Sequence, residues 1–530
     1  MNVETQTNGE PMIFGTETEF GVLNTENPAA GAVALSAEVV ASYADASGVK
    51  PVQWDYTGED PLNDARGHRL QRANAHPSLL TDDPYQLAPT GGVGWGPAPS
   101  EYDRRIYQMT NLVLENGARL YVDHAHPEYA SPETTSAAQA TLYDRAGDRI
   151  GRETCRYAQT QGHALALYKN NTDGKGAAYG THENYQLPRP VDFDDLVVGA
   201  TTFLVTRTVF CGAGRVGIGQ RSEKAGFQLS QRADFVENDI GLETTFNRPI
   251  INTRDEPHAN PHQVRRFHVI NGDATQFDVS TYLKLGATAL VLKAICASPD
   301  LRWNALSLDE DAVAVAAAVS HDVQLRNRYD CKDGKSRTAV DIQRAYCDLV
   351  AQILTDLSDD EAAVLERWQR VLDQLARDPQ SCATEVEWVA KHQLLQRQRS
   401  RWQCGWEDAR VAAVDLQWAD LRQGRSLVEK LDNAGLVERL FTDEDVARAA
   451  TEPPATTRAF LRGLAVRHQP RLVKASWTSL VVETTDGNSA RLPLASASDA
   501  GSEQMVAAVK SGVAEKMVKV AKAQAVNEGA

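Results

Sequence analysis

Apolar and functional positions alternate in two stretches of this chain. In RLYVDHAHPEYASPE, Arg119 to Glu133, the apolar Leu120 and Val122 alternate with Arg119, Tyr121 and Asp123. A strand here turns those three functional groups to the face opposite its apolar side. The chain is then expected to turn at Pro127 and deliver Glu128, with His124 and His126 close by. The second stretch, MIFGTETEFGV, predicts a strand from Ile13 to Leu23 with Glu17 and Glu19 on one face. An Ala/Val-rich segment, about Ala34 to Ala46, follows as a helix. From Arg156 to Ile270 short β-rich runs alternate with turns, whereas beyond Ser280 the apolar spacing becomes three and four residues. Helices are predicted over TYLKLGATALVLKAICAS, Asp359 to Arg377, Glu385 to Arg401 and Ala409 to Leu421. RLVKASWTSLVVETTDGNSARLPL predicts a hairpin turning at Asp486 and Gly487, and Ser502 to Ala525 an amphipathic, loosely docked helix. Strands first and helices after give an α+β class, a catalytic domain over 11–425 and a small carboxyl-terminal domain over 426–530.

The stretch from Trp54 to Ser100 breaks this regularity. It is rich in Gly, Pro, Asp and Asn and ends in PTGGVGWGPAPS, which predicts an inserted mobile loop replaceable by a short linker without loss of fold. Composition changes the picture only by exclusion. Lys and Arg number 55 against 71 acidic residues, and a net charge of −16 argues against non-specific nucleic-acid or membrane-surface binding. The seven cysteines are scattered without a CxxC pair, so neither a disulfide framework nor a thiolate metal site is indicated. No signal peptide or membrane segment is expected, and the chain reads as cytoplasmic.

Two carboxylate-bearing strands suggest a hard-cation site, with oxygen ligands that suit Mg²⁺ shared with nucleotide phosphates. GTHENYQLPR adds His182 as a possible metal ligand and Asn184 as a possible partner for ribose or phosphate. In RRFHVING, Arg266 and His268 share one face and Phe267 and Val269 the other. Arg232 in QRADF and Arg254 in NTRDEP could hold phosphate or carboxylate through paired N–H donors. Each of these groups, taken singly, is equally a loop residue or a surface ion pair. GVGWG and GRVGIG lack the strand–loop–helix context of a dinucleotide or P-loop site and read as plain loops.

GTETEFG, NGARLYVDHAHPEYASPE, YKNNTDGKGAAYGTHENY, GQRSEKAGFQLSQRADF, IINTRDEPH and TYLKLGATALVL, in this order, resemble the actinobacterial family of Pup ligases and Pup deamidases/depupylases. That family is related to glutamine synthetase and to carboxylate-amine ligases. The resemblance runs from about Ile13 to Leu494. The DHAHPEY form, where the ligase is similar to DxGSHPEY, and the insertion carrying WDYTGEDPLNDARG resemble the deamidase/depupylase branch. The later part of that insertion, Ala88 to Ser100, departs from the branch pattern by being longer.

The resemblance implies a glutamine-synthetase-like large domain, with a curved, mainly antiparallel sheet backed by helices. It implies hydrolysis of the side-chain amide of Pup's carboxyl-terminal Gln, and of the isopeptide bond joining Pup to lysines of pupylated proteins, with ATP and Mg²⁺ as cofactors. Asp123 matches the nucleophile or base. Glu17, Glu19, Tyr121, Glu128, His182 and His268 match the metal shell. Arg119, Ser131, Asn184, Arg266 and Trp477 match nucleotide contacts, and Arg232 and Arg254 are candidates for phosphate and substrate. Three alternatives stay open: a Pup ligase, a small-molecule carboxylate-amine ligase, and a non-enzymatic Pup-binding protein.

Overall fold

The computed structural model describes residues 11–76, 79–80, 110–299 and 301–528. Its centre is an eight-stranded sheet built from β1 (Phe14–Glu19), β2 (Asn111–Val113), β3 (Arg119–Asp123), β4 (His126–Ala130), β5 (Thr181–Pro188), β6 (Asn238–Gly241), β7 (Pro249–Asn252) and β8 (Val264–Val269). The spatial order is β6-β7-β8-β5-β1-β4-β3-β2. Every pairing is antiparallel except β6 with β7. The α+β expectation of a mainly antiparallel sheet backed by helices holds.

The helices lie behind one face of the sheet. They include α1 (Ala32–Ser47), α2 (Ala137–Thr160), α3 (Phe193–Thr206) and α4 (Asp278–Ala297). α4 is long and apolar enough to cross a membrane, but it is the buried centre of the main core, packed among Phe203, Trp368 and Val364. Two of these helices escape the periodicity argument. α2 buries Asp144, Asp148, Gly147 and Gly151 in place of an aliphatic stripe. α3 is apolar nearly all round and rich in Val and Thr, a composition shared with strands.

The first strand is shorter than expected. It stops at Glu19, and Gly21–Asn24 leaves the sheet to pair with Leu165–Tyr168. The turn after Asp123 comes earlier than Pro127: Asp123 pairs with His126, and His124 takes a left-handed conformation, φ 51°. Pro127 is therefore already inside β4, opposite Val122. GRVGIG is not a plain loop either, because Arg215–Ile218 forms a hairpin with Lys224–Gln228. GVGWG lies outside the described residues.

The small domain is a four-stranded sheet carrying the expected hairpin, with Glu483 opposite Ser489 and Gly487 at φ 82°. Its fourth strand is Gln53–Trp54, which pairs in parallel with Leu472–Ala475. The start of the supposed loop is thus part of a core, with Trp54 buried among Val52, Leu461 and Leu480. Leu62, Leu79 and Leu80 form a further cluster with Leu242. Asn63–Asp64 pairs with His68–Arg69, and residues 77–78 and 81–100 lie outside the described residues. A strand of two residues is too short to show alternation, which is why this part reads as loop. The carboxyl-terminal helix also differs from expectation. It breaks at Gly512, φ 70°, into Glu503–Lys510 and Ala514–Glu528, and Ala514 and Met517 are fully buried, so it is docked firmly. Ala449 and Ala450 pack with the core behind α2, so the small domain's own core starts after them, beyond the expected boundary at 426.

Glu183, on the rear of β5, is fully buried and forms two parallel hydrogen bonds with Arg207 of 2.6 and 2.8 Å. Tyr185 donates a third to Glu183 at 2.7 Å. Removing one partner strands the other charge in the core, which costs about 3–5 kcal/mol. Arg207→Met is expected to lower unfolding stability by that amount in chemical denaturation, and the double variant with Glu183→Leu to recover much of it. Replacing residues 54–100 with a Gly/Ser linker removes a strand and Trp54. A clear fall in Tm is expected by calorimetry, against the tolerance that composition alone suggests.

Candidate active site

Strand register brings the predicted carboxylates together. Glu17 lies opposite both His182 and Ala130, Glu19 opposite Glu128, and Glu128 opposite Tyr121. Asn184 lies opposite His268. In a sheet, directly opposed residues share a face, so Glu17, Glu19, Tyr121, Asp123, Glu128, His182, Asn184, Arg266 and His268 all project forward from five adjacent strands. The alternation within each strand sends Leu120, Val122, Tyr129, Glu183, Tyr185 and Phe267 to the rear.

Glu17 is the hub. His182 Nδ1 lies 3.3 Å from one of its oxygens and His268 Nε2 4.0 Å from the same oxygen. Asn184 Nδ2 donates to the other oxygen at 3.2 Å, as does Arg266 Nη2 at 3.3 Å. Arg266 Nε also donates to Asn184 Oδ1 at 2.6 Å. Burial raises the Glu17 carboxyl, but Arg266, His182 and Arg254 outweigh it and hold the group at about 2. Asp123 behaves alike. Burial opposes its charge, His124, His182 and Arg254 favour it, and it sits at about 2. His124 Nδ1 is 3.0 Å from Asp123 Oδ2.

Glu128 is the exception on this face. It is buried, Tyr121 donates a short hydrogen bond to it, and burial together with Asp123, Glu17 and Glu19 pushes its carboxyl well above the usual range. Its second oxygen has no hydrogen-bond partner, and neither ring nitrogen of the buried His268 has one. Burial, with Arg266, His182 and Arg254, keeps His268 neutral. Buried polar atoms without partners are rare unless something absent completes them. Ligand atoms of Glu17, His182 and His268 lie within 4.8 Å of one another. The donor set of carboxylates, a phenol and neutral imidazoles fits a divalent cation.

A cleft adjoins this face. Gly15, Glu17, Ser131, Asn184 and Arg266 line it from the sheet, and Glu133, His258, Arg458 and Trp477 from the other side. Ser131 Oγ accepts from Thr16 N at 2.9 Å, which ties the residue after β4 to the middle of β1. Arg119 is held away from the cleft lining, its guanidinium 4.0 Å from the Trp54 ring and 3.9 Å from the Tyr121 ring, with Nε donating to Asn111 at 2.9 Å. Glu19 accepts a short hydrogen bond from Gly180 N, and one of its oxygens lies 4.0 Å from His126 Nδ1. Arg254 reaches Glu17, Asp123 and His268 electrostatically.

Arg232 does not join this group. It is buried behind the site and donates to the carbonyls of Tyr179 and Ile270 at 2.7 and 2.9 Å, so its fork supports loops and is not presented to a ligand. Sequence reasoning missed Trp54, which stacks on Arg119, and also Glu133, His258 and Arg458. Arg458 sits in TEPPATTRAF, where the only local signal is a break in periodicity. His258 had one readable hint, its place beside Pro257 in RDEPH.

The comparisons decide the family. Residues 12–481 match the Pup-ligase protein family. The chain belongs to this family. It is 42% identical over 489 residues to the Pup deamidase/depupylase of Mycolicibacterium smegmatis, covering 91% of this chain and 93% of that protein. It is 44% identical to the depupylase of Acidothermus cellulolyticus, covering 89% and 91%. The Pup–protein ligase of Mycobacteroides abscessus is 40% identical over 69% of this chain and 84% of its own length. Among solved structures, the complex of Pup with its ligase PafA is similar with a TM-score of 0.75 at 27% identity, covering 98% of this chain and 96% of that one. PafA with ADP gives 0.67 at 30% identity, covering 82% and 97%.

Because Glu128 has a raised folded-state pKa, it keeps its proton above the pH at which the unfolded chain loses it. Its contribution is therefore full below about pH 4.3, the ordinary Glu value, and is lost as pH rises towards the folded value. Glu128→Gln, which retains an oxygen acceptor for Tyr121, is expected to raise the ligand-free Tm at pH 7 and to leave it little changed at pH 4. Thermal scans across that range check the sign.

Proposed function

We propose that this chain hydrolyses the side-chain amide of a carboxyl-terminal Gln in Pup and the isopeptide bond between Pup and substrate lysines, with a Mg²⁺-bound nucleotide as cofactor. The observation that carries this reading is the ionised Asp123 at the edge of a face crowded with cation ligands, in a chain that matches depupylases along nine-tenths of its length.

The two reactions share one chemistry. Both attack the same side-chain carbonyl, releasing ammonia in one case and a lysine amine in the other, so one site serves both. Asp123, held ionised by His124, His182 and Arg254, attacks that carbonyl or takes the proton of the attacking nucleophile, and both roles need the carboxylate form. His124 fixes one of its oxygens at 3.0 Å and leaves the other for the reacting group. Glu17, Glu128, Tyr121, His182 and His268 would hold the metal, with Glu19 beside them. The cation, when bound, supplies positive charge for phosphate binding and for oxyanion development. Asn184 and Arg266 line the cleft where phosphates would lie, and Trp477 offers a ring for a nucleobase.

The ligase reading rests on the same fold, but the ligase relatives match a shorter part of this chain. It predicts nucleotide turnover tied to lysine-dependent conjugation. Incubation with Pup ending in Gln, and separately with a Pup conjugate, followed by mass spectrometry, distinguishes the two. Asp123→Asn is expected to abolish both hydrolyses, by at least about 10³-fold as for loss of a principal catalytic group, while nucleotide binding stays within a few-fold of wild type. Turnover near the wild-type rate, in protein shown by mass to retain Asn, would remove Asp123 from the mechanism.

A further inference from the structure

Arg458 and Trp477, on the far wall of the cleft, belong to the small domain, and their attachment converges on one carboxylate of the large domain. Glu133 follows β4 at the cleft rim. Arg458 Nε donates to Glu133 Oε1 at 2.7 Å, Arg462 Nη1 reaches the same oxygen at 3.2 Å, and Arg462 Nη2 makes a short contact with Oε2. Thr457 Oγ1 donates to the Glu133 carbonyl at 2.8 Å. Both arginines are almost fully buried. Burial opposes the charge of Glu133, but the two guanidinium groups hold it at about 2.

The same arginines organise the wall. Arg462 Nε donates to Gly117 O at 2.8 Å, and its guanidinium carbon lies 4.7 Å from the centre of the Trp477 ring. Trp54 meets Trp477 edge-on at 5.1 Å. Arg458 lines the cleft and donates to His258 O at 2.5 Å, which fixes a second lining residue held in a left-handed conformation, φ 46°. Trp477 is thus gripped between Arg462 and Trp54, and Arg462 is oriented by Glu133.

We propose that Glu133, Arg458 and Arg462 are positioning residues that fix Trp477 as the nucleobase wall of the cleft, so that nucleotide affinity, and not the hydrolytic step, depends on them. This rests on the nucleotide reading of the cleft given above. A buried carboxylate shared by two guanidinium groups has little freedom, because each hydrogen bond is charge-assisted and directional. A flat ring stacked on a guanidinium inherits that order. The ring then meets the base without first being immobilised, which is the usual origin of affinity from preorganisation.

The test is a double-variant cycle on the full chain, with Mg·ATP titrated calorimetrically into wild type, Glu133→Gln, Trp477→Leu and the pair. Each single variant is expected to raise Kd about tenfold. The pair is expected to be no more than about twofold weaker than Trp477→Leu alone, since the residues act as one unit. At saturating ATP, kcat for Pup deamidation by Glu133→Gln should stay within about threefold of wild type, the split expected when a positioning residue affects only ground-state binding. A merely structural role for Glu133 predicts additive effects on Kd or loss of kcat, and either result overturns the proposal. So does an unchanged Kd in Trp477→Leu. If Glu133→Gln does not fold, Arg462→Lys, which keeps the charge and loses the flat stack, takes its place in the cycle. A wild-type chain that fails to bind Mg·ATP at all would instead overturn the nucleotide reading itself.

Discussion

The mutual repulsion of four carboxylates on one sheet face is the constraint around which this structure is arranged. Glu17, Glu19, Asp123 and Glu128 sit on three adjacent strands, and register alone places them side by side. In water such charges would move apart; on a hydrogen-bonded sheet they cannot. The surrounding cations resolve the conflict unequally. Arg266, His182 and Arg254 serve Glu17, and His124 serves Asp123, so both remain ionised. Glu128 receives only a phenol hydroxyl and keeps its proton until a positive charge arrives. Unequal environments for neighbouring carboxylates are the usual means by which one site holds different protonation states at one pH.

The rear face makes this possible. β5 sends His182 and Asn184 forward and Glu183 and Tyr185 backward, so the same strand feeds the site and the core. A slip of one residue would exchange the two sets. The buried pair Glu183–Arg207 therefore acts as a register lock, since no forward position could satisfy it. Lys169 does the same below β1, with Nζ 2.6 Å from Asp144 and 2.9 Å from Asp148, while Thr18 of β1 donates to Asp144 at 3.5 Å. Charge on both sides of a strand leaves it only one stable orientation.

Much of this was legible in sequence, and what was not has identifiable causes. Alternation in RLYVD and GTETE exposed the forward carboxylates, because a period of two survives in a strand with one polar face. The same argument failed for Gln53–Trp54, where two residues carry no period, and for α2, whose buried face is acidic and small. Arg232 shows the limit of reading by residue type: an arginine among conspicuous motifs is as easily a brace for backbone carbonyls as an anion ligand, and only burial and partners distinguish them. The Glu133 cluster was invisible because its members are 325 and 329 residues apart, and no local pattern links such positions.

The central claim is that the carboxylate face is completed by a cation and a nucleotide together. Thermal unfolding of the chain with Mg²⁺ alone, ATP with EDTA, and both together tests it most directly. Stabilisation by a bound ligand follows its concentration relative to Kd, so the account predicts a small shift with either ligand alone and a larger, more than additive rise in Tm with both. An equal shift with ATP in EDTA, or no shift with the pair, would contradict it.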